Sequence, residues 1–298
     1  MARLSLRGIF PPLTTPFAAS ERVDLAALET NIEKYNQTPL AGYVVLGSTG
    51  EAVFLREKEK LAILEAARTA AAADKTSIAG TGAESTAETI ELTRRAASFG
   101  YHAALVRTPS YFKPQMTPSA LERHYRAVAD ASPIPILIYS VPQFTGLAVE
   151  APLVARLSEH PNIVGLKDSS GDLKRLGEIL QAAPVDFVVL VGSASTLYAS
   201  LSLGAHGGIL AAACVLPELC VEIYEAHRRG EHECANAAQL RLTAPALSVT
   251  SRYGIAALKY AMELRGYLGG SVRAPLEPLA PAAQAELDRL FAAVEAAD

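Results

Sequence analysis

Apolar and polar positions follow each other along the chain in an order that predicts its secondary structure. Short apolar runs rich in β-branched residues recur at intervals of roughly 20 to 34 residues, and segments with a helical period separate them, as at 57–73 and 87–99. Eight strand and helix units in alternation are typical of a parallel (β/α)8 barrel, or TIM barrel, and not of two doubly wound halves. The predicted strands cover residues 9–10, 43–46, 77–79, 103–106, 136–139, 163–166, 187–191 and 207–210.

Beyond the eighth strand the pattern predicts only helices. Helical segments cover 216–228, 232–246, 253–264 and 281–297, and no glycine- or serine-rich linker separates them from the barrel. We therefore expect a (β/α)8 barrel at 1–215 and a C-terminal helical region at 216–298 that packs on the barrel. These helices would also have a surface that could pack against a neighbouring subunit.

Composition limits the class of protein further. The chain has 298 residues, of which 50% are hydrophobic and 19% charged, so it is long enough to bury a large core. The net charge is -4, and basic residues cluster only as the pairs 94–95 and 228–229, so we expect no nucleic-acid partner. Three prolines break the apolar pieces of residues 1–16, which therefore resemble neither a signal peptide nor a membrane span. We expect a cytoplasmic protein without a membrane partner.

Cysteine and histidine give no sign of a metal site. Cys214, Cys220 and Cys234 form no CxxC pair and are odd in number, which argues against a disulfide framework and against zinc. We interpret all three as reduced packing residues. The six histidines are scattered, and none belongs to an HExxH pattern. We expect no metal and no other cofactor.

Lys167 is the residue that carries most chemical information. It directly follows the predicted sixth strand, 163–166. An ammonium group at the inner end of a buried strand is costly unless it is paired or held neutral, and a neutral amine is a nucleophile that forms a Schiff base with a carbonyl compound. The alternative is a lysine that reaches from the strand end into solvent, and this segment alone leaves both interpretations open.

Polar groups also follow several of the other predicted strands. In barrel enzymes the chemistry gathers at the C-terminal ends of the strands, because the loops there surround one mouth. Serine, threonine or tyrosine occurs in each of the segments 47–51, 108–111, 139–142 and 192–193, which follow or end strands two, four, five and seven. Together with Lys167 they predict a site for a keto acid at the mouth.

Each of these groups also has a simpler interpretation. The segment 47–51 offers two hydroxyls and, through its glycines, backbone amides that could approach a carboxylate, but it could equally be a glycine turn in which Ser48 or Thr49 caps a helix. Tyr139 could be a core tyrosine with its hydroxyl at the rim. Asp168 is expected to be a structural partner, since adjacent strand residues point to opposite faces.

One further motif suggests a different function. Gly80, Thr81 and Gly82 follow a predicted strand and precede a predicted helix, as in a dinucleotide-binding fold. Ser85 stands where that pattern requires its third glycine, so we set nucleotide binding aside.

These motifs together resemble one known family. GSTGE at 47–51, TPSY at 108–111, YSVP at 139–142 and GLKDSSGD at 165–172 are similar to the pyruvate-dependent class I aldolases and lyases of the dihydrodipicolinate synthase and N-acetylneuraminate lyase superfamily. The resemblance covers the barrel and extends into the C-terminal helices. Within the superfamily, the segments 132–142, 160–169 and 252–259 look most like 4-hydroxy-2-oxoglutarate aldolases.

The resemblance implies a role for each candidate residue. Lys167 would form the imine with pyruvate or a 2-keto substrate, and Tyr139 would move the proton of the aldol hydroxyl. Ser48 would link Tyr139 to Tyr111 in a hydroxyl relay, and Tyr111 would reach the active site of the adjacent subunit. The implied substrate contacts are Ser48, Thr49, Ser169, Gly192 and Ile209.

One departure from the family pattern concerns the second substrate. Dihydrodipicolinate synthases carry an arginine in the loop after the YNVP element that binds the carboxylate of the aldehyde partner, and Phe144 stands at that position. A phenyl ring makes no bidentate contact with a carboxylate. We therefore expect cleavage of 4-hydroxy-2-oxoglutarate to pyruvate and glyoxylate. The alternatives are dihydrodipicolinate synthase, a sugar-acid aldolase or dehydratase, and a non-catalytic keto-acid-binding barrel, and the resemblance implies a homotetramer built from dimers.

Overall fold

The computed structural model describes residues 5–295, and it confirms the (β/α)8 barrel. All strand pairings are parallel, and the strand order is β1-β8-β7-β6-β5-β4-β3-β2. The strands are β1 (Gly8–Phe10), β2 (Gly42–Val45), β3 (Thr76–Gly80), β4 (Ala103–Arg107), β5 (Ile136–Ser140), β6 (Ile163–Asp168), β7 (Val188–Val191) and β8 (Gly207–Ile209).

The barrel closes between β1 and β2 by residues just beyond the first strand. Pro12 forms an isolated parallel bridge with Val44. The amide of Val44 donates to the carbonyl of Pro11 at 3.0 Å, and the amide of Ala41 donates to the carbonyl of Ile9 at 3.0 Å. Proline has no N–H to contribute, so this junction is held by fewer ladder bonds than a regular strand pair.

Helices connect successive strands and continue beyond the barrel. Predicted and observed bounds agree closely, as for the helix expected at 232–246, which spans His232–Leu247, and the last two residues of the helix expected at 281–297 lie outside the described residues. The helices are α1 (Leu25–Asn36), α2 (Glu57–Ala70), α3 (Thr86–Ser98), α4 (Pro118–Ala131), α5 (Pro142–Thr145), α6 (Ala151–Leu157), α7 (Leu173–Ala182), α8 (Leu197–Ser202), α9 (Pro217–Arg228), α10 (His232–Leu247), α11 (Gly254–Leu264) and α12 (Pro281–Glu295).

Strand residues alternate between the barrel interior and the layer under the helices. In β4, Leu105 belongs to the interior cluster, whereas Ala104 and Val106 pack in the larger cluster that joins the strands to the helices. This period of two is the consequence of strand geometry. The interior cluster contains Leu6, Phe10, Val44, Ile78, Ala103, Leu105, Leu137, Tyr139, Val141, Leu190 and Ile209.

Several sequence-based expectations need correction. Leu210 was expected in the eighth strand, but β8 ends at Ile209. Leu46 lies outside β2, because its φ of 62° is left-handed and ends the strand. Phe187 precedes β7. Cys214 and Cys220 are buried free thiols as expected, but Cys234 is exposed on α10 and is not a packing residue.

Polar contacts as well as apolar packing join the C-terminal region to the barrel. Arg273 donates from both terminal nitrogens to the carboxylate of Glu59 at 2.9 Å, and its Nη1 also donates to the carbonyl of Phe54 at 3.1 Å. Asn31 exchanges two 2.8 Å hydrogen bonds with the backbone of Leu268. These contacts join α1 and α2 to the segment after α11.

Within residues 5–295, no helix combines the length and the apolar composition that a bilayer crossing needs.

The contact between Glu59 and Arg273 predicts a specific pH dependence of stability. The hydrogen bonds from Arg273 lower the pKa of Glu59 from 4.5 to about 2. A carboxyl group whose pKa is depressed in the folded state adds stability above its ordinary pKa and loses it as the pH falls towards the folded value. We expect E59Q to be less stable than the wild type near neutral pH, and the difference to shrink progressively below the ordinary value of 4.5.

Urea unfolding at pH values from about 7 down to about 3 measures this difference. E57Q, which changes an exposed carboxylate in the same helical turn, is the matched control and should show no such pH dependence. A constant difference between E59Q and the wild type at every pH would contradict the assignment.

Candidate active site

Lys167 is buried at the mouth end of the barrel. It is the fifth of six residues in β6, and 4% of its surface is exposed. The register of the sheet places it beside Tyr139 of β5 and Leu190 of β7. Its Nζ lies 4.3 Å from the centroid of the Tyr139 ring. The amine is therefore held against an aromatic face and does not reach into solvent.

Tyr139, whose ring faces this amine, also contacts the hydroxyl of Ser48. The Tyr139 hydroxyl and Ser48 Oγ are 3.3 Å apart, and either oxygen could be the donor. Tyr139 is 5% exposed and belongs to the interior cluster, while Ser48 begins the short 3-10 turn after β2. Strands two, five and six therefore each contribute one group to a single place, as the sequence predicts.

Lys167 differs from the other buried lysines of the described chain in having no partner for its amine. Lys75 donates to the carbonyls of Thr38 at 2.8 Å and Leu40 at 2.9 Å. Lys259 forms a 2.6 Å ion pair with Glu51. Residues 5–295 give Lys167 neither a hydrogen bond nor an ion pair, so its nitrogen is the one that is available to a ligand.

Asp168 follows Lys167 but lies on the opposite face of the strand. Its carboxylate accepts from the Ser170 hydroxyl at 2.6 Å and is 3.7 Å from Arg175 Nε. Burial raises its pKa, although Ser170 and Arg175 oppose that effect. Arg175 belongs to α7, so Asp168 is directed towards the helix layer, as expected from strand alternation.

The loop from Leu46 to Glu51 has an unusual backbone. Leu46 and Glu51 have left-handed φ values of 62° and 53°, which are uncommon for residues other than glycine. Between them, the amides of Ser48 and Thr49 start a short turn and find no backbone or side-chain acceptor in the described part of the chain. Two N–H groups beside two hydroxyls are suited to a carboxylate.

A buried ion pair holds this loop in place. Glu51 and Lys259 are both fully buried, and Lys259 also donates to the carbonyls of Thr15 at 2.8 Å and Ser271 at 2.6 Å. The second oxygen of Glu51 accepts from the amide of Arg273 at 2.9 Å. Burial lowers the pKa of Lys259, and the hydrogen bond with Glu51 opposes this shift. The last residue of the 47–51 motif is thus joined to the last residue of the 252–259 motif.

The remaining predicted contact residues lie near the same end of the barrel as Lys167. Ser169 and Gly192 pack against each other so closely that a Cβ on Gly192 would lie 1.9 Å from Ser169 Oγ. Ile209 is buried in the interior cluster at the end of β8, and Thr49 is half-buried beside Ser48. Their contacts with a substrate stay predictions.

Tyr111 is not joined to the other hydroxyls within one chain. It is 80% exposed, and its ring contacts that of Phe112. Its backbone amide donates to Glu84 at 2.8 Å, which holds the loop and leaves the phenol on the surface. The proposed link from Ser48 to Tyr111 therefore has no support from contacts inside residues 5–295 of a single copy.

A cleft of about 610 Å³ opens beside Ser48 and Tyr139. This volume is ordinary for a small-molecule site. Ile255 of α11 lies on its wall, so the C-terminal region helps to form it, and Phe144 lines it as well, with 71% of its surface exposed. An apolar ring thus lines the cleft at residue 144.

Sequence reasoning missed Arg107 and Glu84, which also line this cleft. The predicted fourth strand stops at 106, whereas β4 includes Arg107 as its last residue. Side chains two residues apart on a strand point to the same face, and Leu105 faces the barrel interior, so Arg107 is expected to face it too. This alternation was the signal in the sequence that could have identified Arg107.

Gly80 and Gly82, the motif that suggested nucleotide binding, have a different explanation. A Cβ on Gly80 would lie 2.2 Å from the carbonyl oxygen of Leu46, and one on Gly82 would lie 2.3 Å from the amide nitrogen of Arg107. Both glycines are required because the neighbouring backbones approach closely.

Residues 5–295 bring together no group of three or more histidine, cysteine, aspartate or glutamate side chains that could hold a metal ion.

Comparison with known proteins assigns the class. The chain belongs to the dihydrodipicolinate synthetase family, whose profile matches residues 5–294. This family consists of pyruvate aldolases and synthases, which are enzymes acting on small keto acids.

Individual relatives carry two different names. The chain is 36% identical to a 4-hydroxy-tetrahydrodipicolinate synthase of Methanothrix thermoacetophila over 94% of each chain. It is 39% identical to a probable mitochondrial 4-hydroxy-2-oxoglutarate aldolase of Emericella nidulans, over 87% of this chain and 86% of that one. The crystal structure of dihydrodipicolinate synthase from Acinetobacter baumannii complexed with pyruvate is similar with a TM-score of 0.93 and 30% identity, covering 98% of this chain and 99% of the other.

The buried ion pair between Glu51 and Lys259 predicts a non-additive effect on stability. K259M leaves the Glu51 carboxylate buried without a cation, and we expect it to lower the free energy of unfolding by about 3 to 5 kcal/mol. E51Q leaves the Lys259 ammonium buried without an anion and should also destabilise the fold. The double variant E51Q/K259M should lose less than the sum of the two, and urea unfolding of all three measures the difference.

K75M is the matched control, because Lys75 is buried, donates to two carbonyl groups and has only the exposed Asp74 carboxylate, 3.9 Å away, as its ion-pair partner within residues 5–295. Its effect should add to that of E51Q. If E51Q and K259M were also additive, the two side chains would not be coupled.

Proposed function

We propose that this protein is a Schiff-base aldolase that cleaves 4-hydroxy-2-oxoglutarate to pyruvate and glyoxylate, without a metal or other cofactor. The observation that supports the chemistry best is the environment of Lys167. Of the three lysines buried in the described chain, it alone has no hydrogen-bond or ion-pair partner, and it faces the ring of Tyr139. A buried amine without an anion beside it, placed among hydroxyls, is suited to attack on a carbonyl group.

The first half of the reaction builds an electron sink. The free-base amine of Lys167 attacks the 2-keto carbon, and loss of water from the resulting carbinolamine gives a protonated imine. The amides and hydroxyls of Ser48 and Thr49 hold the carboxylate next to that carbon. The substrate is then oriented with its chain running along the cleft.

The second half breaks the carbon–carbon bond. The Tyr139 oxygen, which gave its proton to the hydroxyl that left the carbinolamine as water, now takes the proton of the 4-hydroxyl. The bond between C3 and C4 breaks, and its electron pair forms the C2–C3 double bond of an enamine as the iminium nitrogen is neutralised. Glyoxylate leaves. Protonation of the enamine at C3 and hydrolysis of the imine release pyruvate, and the contact between Tyr139 and Ser48 allows the proton to pass between hydroxyls without a histidine.

Phe144 favours this substrate over the main alternative. The names of many relatives support 4-hydroxy-tetrahydrodipicolinate synthase, which condenses pyruvate with aspartate semialdehyde. That reaction needs a group for the carboxylate of the aldehyde, and the apolar Phe144 lines the cleft at this position. The similarity to the Emericella nidulans relative supports the aldolase instead.

The exposure of Tyr111 supports an assembly in which subunits complete each other's sites. A tyrosine that is 80% exposed next to the exposed Phe112 suits a subunit interface. We propose a homotetramer built from dimers in the cytoplasm, with Tyr111 extending the hydroxyl pair of a neighbouring subunit.

Trapping the imine tests the chemistry. Incubation with pyruvate and borohydride should add one reduced pyruvyl group per chain by intact mass, and peptide mapping should locate it on Lys167. K167A should not be labelled, whereas K75M, which removes another buried lysine, should be labelled like the wild type. Labelling at a different lysine, or none at all in the wild type, would exclude the proposed mechanism.

A second experiment tests the choice of substrate. The wild type should cleave 4-hydroxy-2-oxoglutarate efficiently and condense pyruvate with aspartate semialdehyde poorly. F144R supplies a guanidinium group for the semialdehyde carboxylate and should raise kcat/KM of the condensation roughly tenfold, since one charged hydrogen bond contributes about 1.5 to 3 kcal/mol.

F144M changes the same side chain without adding a charge and is the control. Efficient condensation by the wild type would identify the protein as the synthase.

A further inference from the structure

Arg107 is a charged residue on the inner face of the barrel. It is the last residue of β4 and lies on the same face of the strand as Leu105, which packs in the barrel interior. Its side chain lines the cleft and is 16% exposed. A guanidinium group among apolar strand residues costs free energy unless it is paired, so its presence requires an explanation. The reaction steps described for Lys167, Tyr139 and Ser48 do not use it.

The contacts of Arg107 fix its orientation but do not use all its donors. Nη1 donates to the carbonyl of Thr108 at 2.9 Å and to Ser110 Oγ at 3.3 Å, and Nη2 donates to Glu84 at 2.9 Å. A guanidinium has five N–H groups. The Nε–H and one N–H of Nη2 have no acceptor among residues 5–295 and are free for a ligand.

Glu84 is itself well compensated. Its carboxylate accepts from the amides of Ser110 and Tyr111 at 2.8 Å each, in addition to Arg107. Burial alone would raise the pKa of Glu84, but these three contacts outweigh it and lower the pKa. Because three donors surround this carboxylate, its repulsion of a second anion near Arg107 is reduced.

The sheet register arranges three groups in the order of a substrate chain. Arg107 pairs with Tyr139, and Tyr139 pairs with Lys167. Neighbouring strands are about 4.8 Å apart, so the Cα atoms of Arg107 and Lys167 are separated by roughly 10 Å. In a five-carbon keto diacid, the carbon bound to lysine, the hydroxyl removed by tyrosine and the distal carboxylate follow in the same order, within about 4 Å from C2 to C5.

We propose that Arg107 binds the distal carboxylate of the substrate and so makes the site selective for short 2-keto dicarboxylates. This inference rests on the proposed aldolase function and names the group that its substrate requires. Lys60, the other cation on the cleft wall, belongs to α2 outside the barrel, so it does not share the register with Lys167. Phe144 offers no donor.

A pair of substrates that differ only at this carboxylate tests the proposal. 4-Hydroxy-2-oxoglutarate and 4-hydroxy-2-oxopentanoate share the first four carbons, and a methyl group replaces the carboxylate in the second. R107M should lower kcat/KM for cleavage of the diacid by about 10- to 100-fold and should change that of the methyl compound by less than about threefold. R107K, which keeps a charge without the planar fork, should fall between R107M and the wild type.

Two controls separate binding from structure. K60M should leave the ratio of the two kcat/KM values within about threefold of the wild type. Pyruvate labelling of Lys167 in R107M should match the wild type, which shows that the barrel and its amine are intact.

An equal fall for both substrates in R107M would make Arg107 a structural residue and overturn the inference alone. A wild type that is labelled by pyruvate but cleaves neither compound would overturn the proposed function, and this inference with it.

Discussion

The ion pair between Glu51 and Lys259 is the contact on which the geometry of the site depends. It joins the loop after the second strand to the C-terminal helices, and both partners are fully buried. Replacing such a pair by apolar side chains often costs nothing or even stabilises a fold, so stability alone does not explain it. Its effect here is positional. The carboxylate ends a loop with left-handed residues at both ends, and that loop carries the hydroxyl that meets Tyr139.

The three buried lysines illustrate how surroundings decide the chemistry of one residue type. The amine of Lys75 donates to two carbonyl groups. The amine of Lys259 is paired with a carboxylate and donates to two carbonyl groups. Lys167 lies between Tyr139 of β5 and Leu190 of β7, and the ring of Tyr139 lies 4.3 Å from its nitrogen. Two lysines therefore serve the fold, while the third is left for a ligand. The difference is invisible in composition because it arises from which atoms surround each nitrogen.

Much of the fold was predictable because it depends on how apolar residues repeat within short segments of the chain. Eight apolar runs and the helices between them identify the barrel, and Lys167, Tyr139 and Ser48 meet because the ends of parallel strands meet. Contacts between segments distant in sequence were not predictable in this way, and neither the pairing of Glu51 with Lys259 nor the close approach that requires Gly80 has a local signal. Arg107 lies between these cases. Its period-two position was visible, but the strand was predicted to end one residue before it.

The close approach of Gly192 to Ser169 limits which residues can stand at position 192. A Cβ at Gly192 would come within 2.7 Å of Ser169 Cβ and 3.0 Å of its Cα, so rotating the serine hydroxyl away would not make room. Any larger residue would have to push the backbone that follows Asp168 and Lys167. A change at residue 192 is therefore limited by the main chain of the neighbouring strand, so even glycine at position 169 would not make room for a larger residue at position 192.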